Sequence, residues 1–416
     1  MKGGHHVKGI EAPTVIEIEN GSIVTPRGFQ ATGLHSGVKR KRLDLGAIYC
    51  EVPASVAAVY TCNRIQAAPL KVTKESIEKE GKIQALVVNS GNANACTGKR
   101  GIEDAYEMRK QSANHFALPE HYVAITSTGV IGEYMNMEKI VTGIKQLKPQ
   151  SSLESAEAFN QAILTTDTIN KKICYETFVD GKKVYIGGVA KGSGMINPNM
   201  ATMLSFVTTD ANVDSNVLQQ ALSDITNQTF NRITVDGDTS TNDMVVVMAS
   251  GLADNESLTP AHPDWDGFYL ALKETCESLA KQIARDGEGA TKLIEVQVNG
   301  ALNDEEAGKI AKKIVGSDLV KSAVFGTDAN WGRIICAIGY SGCEINPDTI
   351  DIAIGPVQTL IQSQPTTFSE EEAKSYMENN DTVVIEVDLH LANGSGKAWG
   401  CDLSYDYVRI NAGYRT

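Results

Sequence analysis

Residues 190–210 read AKGSGMINPNMATMLSFVTTD, so small and polar residues lead into an apolar run. One interpretation is a loop that enters a strand, with a turn at residues 197–199. The other is chemical, because Thr202 follows the small residue Ala201 where the apolar run starts. If the Ala201–Thr202 bond breaks, the new α-amine can serve as the base for the Thr202 hydroxyl, which is an N-terminal threonine nucleophile. The spacing alone leaves both interpretations open.

A second polar motif, Ser127–Gly132, follows the apolar run Tyr122–Ile125. A glycine after a strand exposes its backbone N–H without a side chain in the way. With the Thr128 hydroxyl, the Gly129 N–H could form a two-donor oxyanion hole. A strand-to-helix turn is the ordinary explanation of the motif taken alone.

Two later segments carry candidate binding residues. In Asp286–Thr291 the glycines are typical of a helix C-cap, whereas Glu288 between two of them could face a cationic substrate group. The C-terminal segment Arg409–Thr416 is expected to fray like most chain ends. The alternative is a docked tail, because Tyr405, Tyr407, Val408, Ile410 and Tyr414 bring apolar surface close to the last residue.

The composition is typical of a globular protein. The 416 residues are 42% hydrophobic and 21% charged, and at roughly 150 residues per domain they suggest two or three domains or one large one. The net charge of −13 opposes non-specific binding to nucleic acid and to anionic membranes. No stretch approaches the ~20 apolar residues of a membrane span, and the first residues lack the features of a signal or transit peptide. We therefore expect a cytoplasmic protein with no nucleic-acid or membrane partner.

Motifs for metals and phosphates are weak. The eight cysteines form no CxxC pair and have no histidine at zinc spacing, so we expect buried thiols of a reduced compartment and no metal site. There is no GxxxxGK[ST] motif, and Gly192-Ser193-Gly194 lacks the third glycine of a dinucleotide loop. The basic run Lys39–Arg42 could hold a phosphorylated cofactor, but a solvated loop is the simpler interpretation.

Strand and helix patterns alternate along the whole chain, which predicts a mixed α/β (α+β) globule of layered mixed sheets packed with helices. Runs rich in β-branched residues predict strands at Thr14–Ile18, Ala85–Val88, Tyr122–Ser127, Val184–Val189, Met244–Met248, Leu293–Val298 and Val383–Leu389. Helical periodicity predicts helices at Glu103–His115, Met137–Leu147, Ser152–Leu164, Asn216–Thr229, Trp265–Arg285, Glu305–Ile314 and Ser369–Met377. Short linkers are expected at Asp180–Lys182 and Leu252–Pro263, without a clear domain boundary.

Taken together, the motifs resemble the glutamate N-acetyltransferases of arginine biosynthesis, also called ornithine acetyltransferases. The matching blocks occur in the family's order from near residue 28 to the last residue. They are Asn89–Gly98, Ser127–Gly132, Thr165–Thr168, Lys191–Asp210, Thr234–Asp243, Gly287–Lys292, Gly326–Arg333 and Asn411–Thr416. One block would be weak evidence, whereas this ordered set is strong.

The resemblance implies a self-processing fold and a ping-pong reaction. Family members cut themselves before the threonine that matches Thr202, which implies an α-chain of residues 1–201 and a β-chain of 202–416, intertwined in one globule. The threonine takes an acetyl group from N2-acetyl-L-ornithine and passes it to L-glutamate. The resemblance assigns the oxyanion hole to Thr128 and Gly129, and it assigns substrate contacts to Thr165, Lys191, Thr202, Glu288, Asn411 and Thr416. Either Thr165 or Thr166 fits the threonine contact, and Thr165 is preferred.

The resemblance implies no cofactor, with acetyl-CoA as an open second donor, and an α2β2 assembly. Two alternatives remain. A self-processed aminopeptidase or amidase of the related fold would use the same nucleophile but let water remove the acyl group. A non-catalytic ligand-binding protein would keep the fold as one uncut chain.

Overall fold

The structure is a computed structural model that describes residues 13–198 and 203–413. The strands of these residues, in chain order, are β1 (Ile16–Glu17), β2 (Phe29–Leu34), β3 (Leu45–Tyr60), β4 (Lys82–Asn92), β5 (Val123–Val130), β6 (Lys171–Val179), β7 (Lys182–Lys191), β8 (Leu204–Thr209), β9 (Ile233–Thr234), β10 (Met244–Ala249), β11 (Leu293–Ala301), β12 (Asp351–Ile354), β13 (Val357–Ile361), β14 (Gln364–Pro365), β15 (Thr382–Asp388) and β16 (Gly394–Cys401). The helices are α1 (Ala68–Glu80), α2 (Gly98–Phe116), α3 (Met137–Ile144), α4 (Leu153–Ile163), α5 (Ser215–Gln228), α6 (Trp265–Arg285), α7 (Asp304–Val315), α8 (Asp318–Phe325), α9 (Trp331–Gly339), α10 (Glu370–Asn379) and α11 (Tyr405–Ala412). Two 3-10 helices lie at Glu120–Tyr122 and Phe230–Arg232.

These strands form two mixed sheets. Nine strands make the larger sheet, in the order β1-β6-β7-β8-β10-β3-β4-β5, with β2 paired to β3. Seven strands make the smaller sheet, in the order β14-β13-β12-β15-β11-β16-β9. The mixed α/β architecture of layered mixed sheets and helices is therefore confirmed. The larger sheet contains strands that precede residues 201 and 202 in the sequence and strands that follow them, and β7 pairs directly with β8.

The larger sheet is covered on both faces, which explains its unbroken apolar strands. Every residue of β8 and of β10 is buried. Because successive side chains of a strand point to opposite faces, Val245 and Val247 enter one core with the apolar side of α6, whereas Val246 and Met248 enter another with Phe159 of α4. The smaller sheet packs on α7 through a third core.

Most long elements lie where the periodicity predicts them. The helix predicted at Trp265–Arg285 has those bounds, and Ser369 caps α10 by accepting a hydrogen bond from the Glu372 N–H at 3.1 Å. The strand predicted at Thr14–Ile18 is only two residues long. The segment Asp180–Lys182 is not a linker but the tight turn of the β6–β7 hairpin, with positive φ at Asp180 and Gly181.

The cysteine prediction was partly wrong. All eight are free thiols, and Cys50, Cys174, Cys276 and Cys401 are buried as expected. Cys62, Cys96 and Cys336 are exposed, because they lie in a loop, ahead of α2 and on the outer side of the short helix α9. No helix in the described part of the chain has both the length and the apolar character that crossing a membrane requires.

Candidate active site

The candidate site lies at one edge of the larger sheet, where three strands meet. Lys191, the last residue of β7, pairs with Leu204 of the antiparallel β8. Met244, the first residue of β10, pairs with the same Leu204 in parallel register. The Met244 N–H also donates a hydrogen bond of 2.9 Å to the carbonyl of Met203. The end of β7 and the beginnings of β8 and β10 therefore share one edge.

Thr128 reaches this edge from β5, a strand that does not pair with β7. The reason is the long strand β3, which pairs with β4 through its first part and with β10 through its last part. Its register breaks between Tyr49 and Ala54, and such irregularities bend a strand. The Asn242 amide then donates to the Ser127 carbonyl at 2.9 Å, and Lys191 Nζ lies 3.4 Å from Thr128 Oγ1.

Gly129 follows Thr128 in a conformation that suits glycine alone. Its φ is +133°, and a Cβ at this position would lie 2.3 Å from the Gly91 carbonyl carbon. The close approach arises because β4 and β5 are parallel neighbours, with Gly91 opposite Gly129. The Thr128-Gly129 pair of the sequence prediction is thus brought to Lys191.

A buried ion network supports the Thr165 loop. Lys171 Nζ binds the carboxylates of Asp167 at 2.7 Å and Asp286 at 2.6 Å, and both of its partners are buried. Asp167 also accepts the N–H groups of Thr165 at 2.9 Å and Gly192 at 2.7 Å. Burial opposes its charge, but Lys171 and Lys191 outweigh that effect and lower the pKa of Asp167 to about 2. The network therefore ties Thr165 to the residue that follows Lys191.

Glu288 packs against the segment that follows Lys191. Its backbone N–H donates to the Ser193 carbonyl at 3.1 Å, and its carboxylate packs against Gly194, where a Cβ would lie 2.4 Å from Glu288 Cδ. The Asn411 amide of α11 donates to Glu288 Oε2 at 2.8 Å. Gly287 follows Asp286, the C-cap residue of α6, but it lacks the positive φ of a glycine cap; a Cβ there would lie 2.6 Å from Cys401 Sγ, so the glycine permits a close approach.

In the described residues up to Gly413, helix α11 is held by polar contacts and by the Tyr405 ring, which lies edge-on to Phe325 with 5.6 Å between ring centroids. Tyr405, Val408 and Ile410 of α11 are exposed. The expectation that apolar side chains dock this segment by becoming buried was therefore wrong. Ser404 anchors the helix by donating to the Gly289 carbonyl at 2.6 Å.

The segment before residue 199 is held by the 234–239 loop. Asp236 accepts the N–H groups of Met195 at 2.6 Å and Ile196 at 2.9 Å, and the Asn197 amide donates to the Gly237 carbonyl at 3.0 Å. Asp236 therefore has a structural duty, as does Asn330, which caps α9. Three predicted residues, Ala201, Thr202 and Thr416, lie outside the described residues.

Asp243 was not predicted as a site residue from the sequence, although the matching block Thr234–Asp243 ends with it. Asp243 lines a small cavity at this edge, together with Thr128, Lys191, Met203, Leu204, Ser240 and Asn242. The available signal was an acid that directly precedes the apolar run of β10. An acid at the start of a strand becomes an unusual group only when it is buried, and the elements packed around Asp243 decide its burial.

The basic run Lys39–Arg42 lies against the Thr165 loop. Lys39 Nζ donates to the carbonyls of Leu164 at 2.5 Å and Leu43 at 3.2 Å, and an Arg42 N–H donates to the Thr165 carbonyl at 3.2 Å. Burial lowers the pKa of Lys39 to about 8. The prediction of a solvated loop was thus wrong for Lys39, whereas Arg40 and Lys41 are exposed as predicted.

A cluster of Asp180, His262 and Asp264 has the spacing of metal ligands, but hydrogen bonds account for it. His262 Nδ1 accepts the Asp264 N–H at 3.1 Å, so Nε2 carries the proton and donates to Asp180 at 3.2 Å. Asp264 in turn accepts the Asp180 N–H at 2.8 Å. The cluster fastens the β6–β7 turn to the start of α6.

Comparison with known proteins gives consistent matches over nearly the whole chain. The profile of the ArgJ family matches residues 30–416. The arginine biosynthesis bifunctional protein ArgJ of Halalkalibacterium halodurans is 71% identical over 406 residues, which are 98% of this chain and 99% of that protein. The protein of the same name from Geobacillus kaustophilus is 66% identical over 97% of this chain and 98% of its own length. A crystal structure of the arginine biosynthesis bifunctional protein ArgJ from Bacillus halodurans is 76% identical with a TM-score of 0.51, and all of its chain matches 51% of this one.

Proposed function

This chain belongs to the ArgJ family and is an acyltransferase, and on that premise we propose that it is a self-processing glutamate N-acetyltransferase of arginine biosynthesis. It moves an acetyl group from N2-acetyl-L-ornithine to L-glutamate. Thr202 is the nucleophile, in a β-chain of residues 202–416 that pairs with an α-chain of residues 1–201. Acetyl-CoA serves as a second donor, which fits the word bifunctional in the names of the relatives.

The observation that carries this proposal is the position of Met203. It lies on the wall of the cavity that also contains Thr128 and Lys191, and Thr202 is joined to it by one peptide bond. Amide acetyl transfer without a metal needs a nucleophile, a base and donors for the oxyanion. Thr128 and Gly129 supply the donors, an effect worth roughly 3–4 kcal/mol for each donor.

The reaction proceeds in two halves. The Thr202 hydroxyl attacks the acetyl carbonyl while its own amine takes the proton, and ornithine leaves. The glutamate amine then attacks the acetyl-threonine ester. Lys191 pairs with a substrate α-carboxylate, and Glu288, held by Asn411, pairs with the ornithine side-chain ammonium.

Self-processing has one independent support. The solved ArgJ chain from Bacillus halodurans matches over its full length, yet it covers only 51% of this chain. A half-length chain is expected if members of this family exist as two pieces. The α2β2 assembly is part of the same proposal and follows from the resemblance alone.

Intact mass spectrometry before and after addition of N-acetylornithine tests the proposal. We expect two fragments that meet between Ala201 and Thr202, with an acetyl mass only on the fragment that begins at Thr202. A Thr202→Ala variant should remain one uncut chain. Two fragments that release free acetate and never retain the acetyl group would favour the amidase. An uncut wild-type chain would favour the non-catalytic binder.

A further inference from the structure

Asp243 is a buried acid for which the acetyl-transfer scheme has no use. Its side chain is only 3% exposed and lines the site cavity. Among the described residues, its Oδ2 atom has no hydrogen-bond partner. A buried polar atom without a partner costs about 1–3 kcal/mol, so its retention at a reaction site calls for a chemical reason.

The backbone of Asp243 is fixed beside the start of β8. The next residue, Met244, donates its N–H to the Met203 carbonyl at 2.9 Å, and the Asp243 carbonyl accepts the Thr61 N–H at 3.1 Å. Because β8 and β10 run parallel from Leu204 and Met244, Asp243 precedes β10 as Met203 precedes β8. The Asp243 carboxyl therefore opens into the cavity whose wall includes the residue that follows Thr202.

The surroundings favour a carboxyl group that can both accept and hold a proton. Burial raises the pKa of Asp243 well above the ordinary value of an aspartate, while Lys191 acts in the opposite direction. Among the described residues that line the cavity with Asp243, Lys191 on β7 is the only other charged group. The other described members of the wall are uncharged: Thr128, Gly194, Met195, Ile196, Met203, Leu204, Ser240 and Asn242.

Self-cleavage presents a problem that acetyl transfer does not. In acetyl transfer the free α-amine of Thr202 serves as the base. Before cleavage that nitrogen belongs to the Ala201–Thr202 amide and cannot take a proton from the hydroxyl. A different base is therefore required for self-cleavage. The carboxyl group that acetyl transfer leaves unused lines the same cavity as Met203, which one peptide bond joins to Thr202.

We propose that Asp243 is the acid–base group of self-cleavage; the assignment rests on the proposed cleavage at Ala201–Thr202. The Asp243 carboxylate takes the proton of the Thr202 hydroxyl as that oxygen bonds to the Ala201 carbonyl carbon. When the carbon–nitrogen bond breaks, the same proton passes from Asp243 to the departing nitrogen, which becomes the free amine. Water then attacks the ester, the new carboxyl ends residue 201, and the Thr202 oxygen regains a proton.

The test follows cleavage of the full chain during cell-free synthesis, sampled over time by intact mass. Asp243→Asn keeps the shape of the side chain but cannot accept the proton, so we expect cleavage to slow by roughly 100-fold or more. Asp210→Asn is the matched control. Asp210 is fully buried at the far end of β8, where it accepts the Tyr185 N–H at 2.8 Å, and burial raises its pKa too. This control should lose stability but cleave at the wild-type rate.

Two further readouts separate proton transfer from a structural role. Neutral hydroxylamine splits esters but not amides, so the uncut Asp243→Asn chain should resist it, because its defect precedes the ester. Asp243→Glu should restore cleavage in part, with a rate that rises with pH as the carboxyl ionises, and Asp243→Asn should lack that rise.

The outcomes are distinct. A folded Asp243→Asn chain that cleaves at the wild-type rate, or one that hydroxylamine cuts, would overturn the role of Asp243. If thermal melting shows that Asp243→Asn does not fold, Asp243→Glu decides: pH-dependent cleavage supports the role, and a folded but uncut chain overturns it. An uncut wild-type chain would instead overturn the proposed function.

Discussion

Lys191 Nζ lies 3.4 Å from Thr128 Oγ1, although the two residues stand on strands that do not pair with each other. Both side chains are buried, at 8% and 3% exposed. A cation beside the threonine of the proposed oxyanion hole can stabilise negative charge on a substrate carboxylate or on the oxyanion. This contact joins β5 to β7, the strand that precedes the proposed cleavage site.

Removal of the Lys191 charge should therefore weaken catalysis. Lys191→Met keeps much of the apolar stem, and a hydrogen bond to a charged group contributes about 1.5–3 kcal/mol. We expect kcat/KM for N-acetylornithine to fall roughly 10- to 150-fold. Steady-state kinetics on the processed enzyme measures this, and an unchanged kcat/KM would show that Lys191 contacts neither substrate nor oxyanion.

Gly129 and Gly132 form a natural test pair, because both have positive φ but different surroundings. An alanine Cβ at 129 would lie 2.3 Å from the Gly91 carbonyl carbon, whereas at 132 no described atom lies within 4 Å. We expect Gly129→Ala to lose more than 100-fold in acetyl transfer because the oxyanion donors shift. Gly132→Ala should lose about 1–2 kcal/mol of stability and keep its activity. Equal activities in the two variants would argue against a role for the Gly129 backbone.

Glu288→Gln separates the charge of Glu288 from its hydrogen bond. The glutamine can still accept from the Asn411 amide, which binds Glu288 Oε2 at 2.8 Å. If Glu288 pairs with the ornithine ammonium, KM for N-acetylornithine should rise about tenfold more than KM for glutamate, since a lost pair of this kind costs about 1.4 kcal/mol or more. Charge reversal in Glu288→Lys should enlarge the difference. Equal losses for both substrates would refute this assignment.

The ionisation of Asp167 should make the free energy of unfolding depend on pH in the acidic range. Its pKa is lowered to about 2 in the folded protein, so its charged form is favoured by folding. The stabilisation is present above pH ~4, where the unfolded aspartate is also ionised, and is lost as pH falls toward 2. The free energy of unfolding of Asp167→Asn should be lower near neutral pH and should vary less between pH ~4 and ~2. Parallel pH profiles for both proteins would contradict the ion network.

The exposed basic side chains Arg40 and Lys41 lie in the run that borders the Thr165 loop. If acetyl-CoA is a second donor, its phosphate groups would bind the positively charged side chains of Arg40 and Lys41. Replacing both residues with alanine should raise KM for acetyl-CoA several-fold and leave KM for N-acetylornithine unchanged. Lys145→Ala, at the C-cap of α3, provides a surface control of the same charge type. A selective effect on N-acetylornithine would contradict the prediction.

Local elements of this protein could be predicted from the sequence because their causes are local. The apolar spacing of Trp265–Arg285 gives a helix with those bounds, and the continuous apolar run at Met244–Met248 gives a strand buried on both faces. The candidate residues Thr128, Lys191 and Glu288 came from an ordered set of motifs, and the structure places all three around one edge of the larger sheet.

Contacts between distant segments depend on the tertiary structure. Thr128 and Lys191 stand on strands that do not pair and meet only in the folded sheet, and the packing of the 286–290 loop against Gly194 brings Glu288 to the segment after Lys191. The sequence marks Asp243 only as an acid that precedes the apolar run of β10. Its burial beside β8, which leaves Oδ2 without a hydrogen-bond partner among the described residues, is decided by the fold. Periodicity depends on neighbours within a few residues, so the sequence by itself determined the helices and strands. Burial and charge environment depend on elements far along the chain, so only the fold decided which carboxyl group could act.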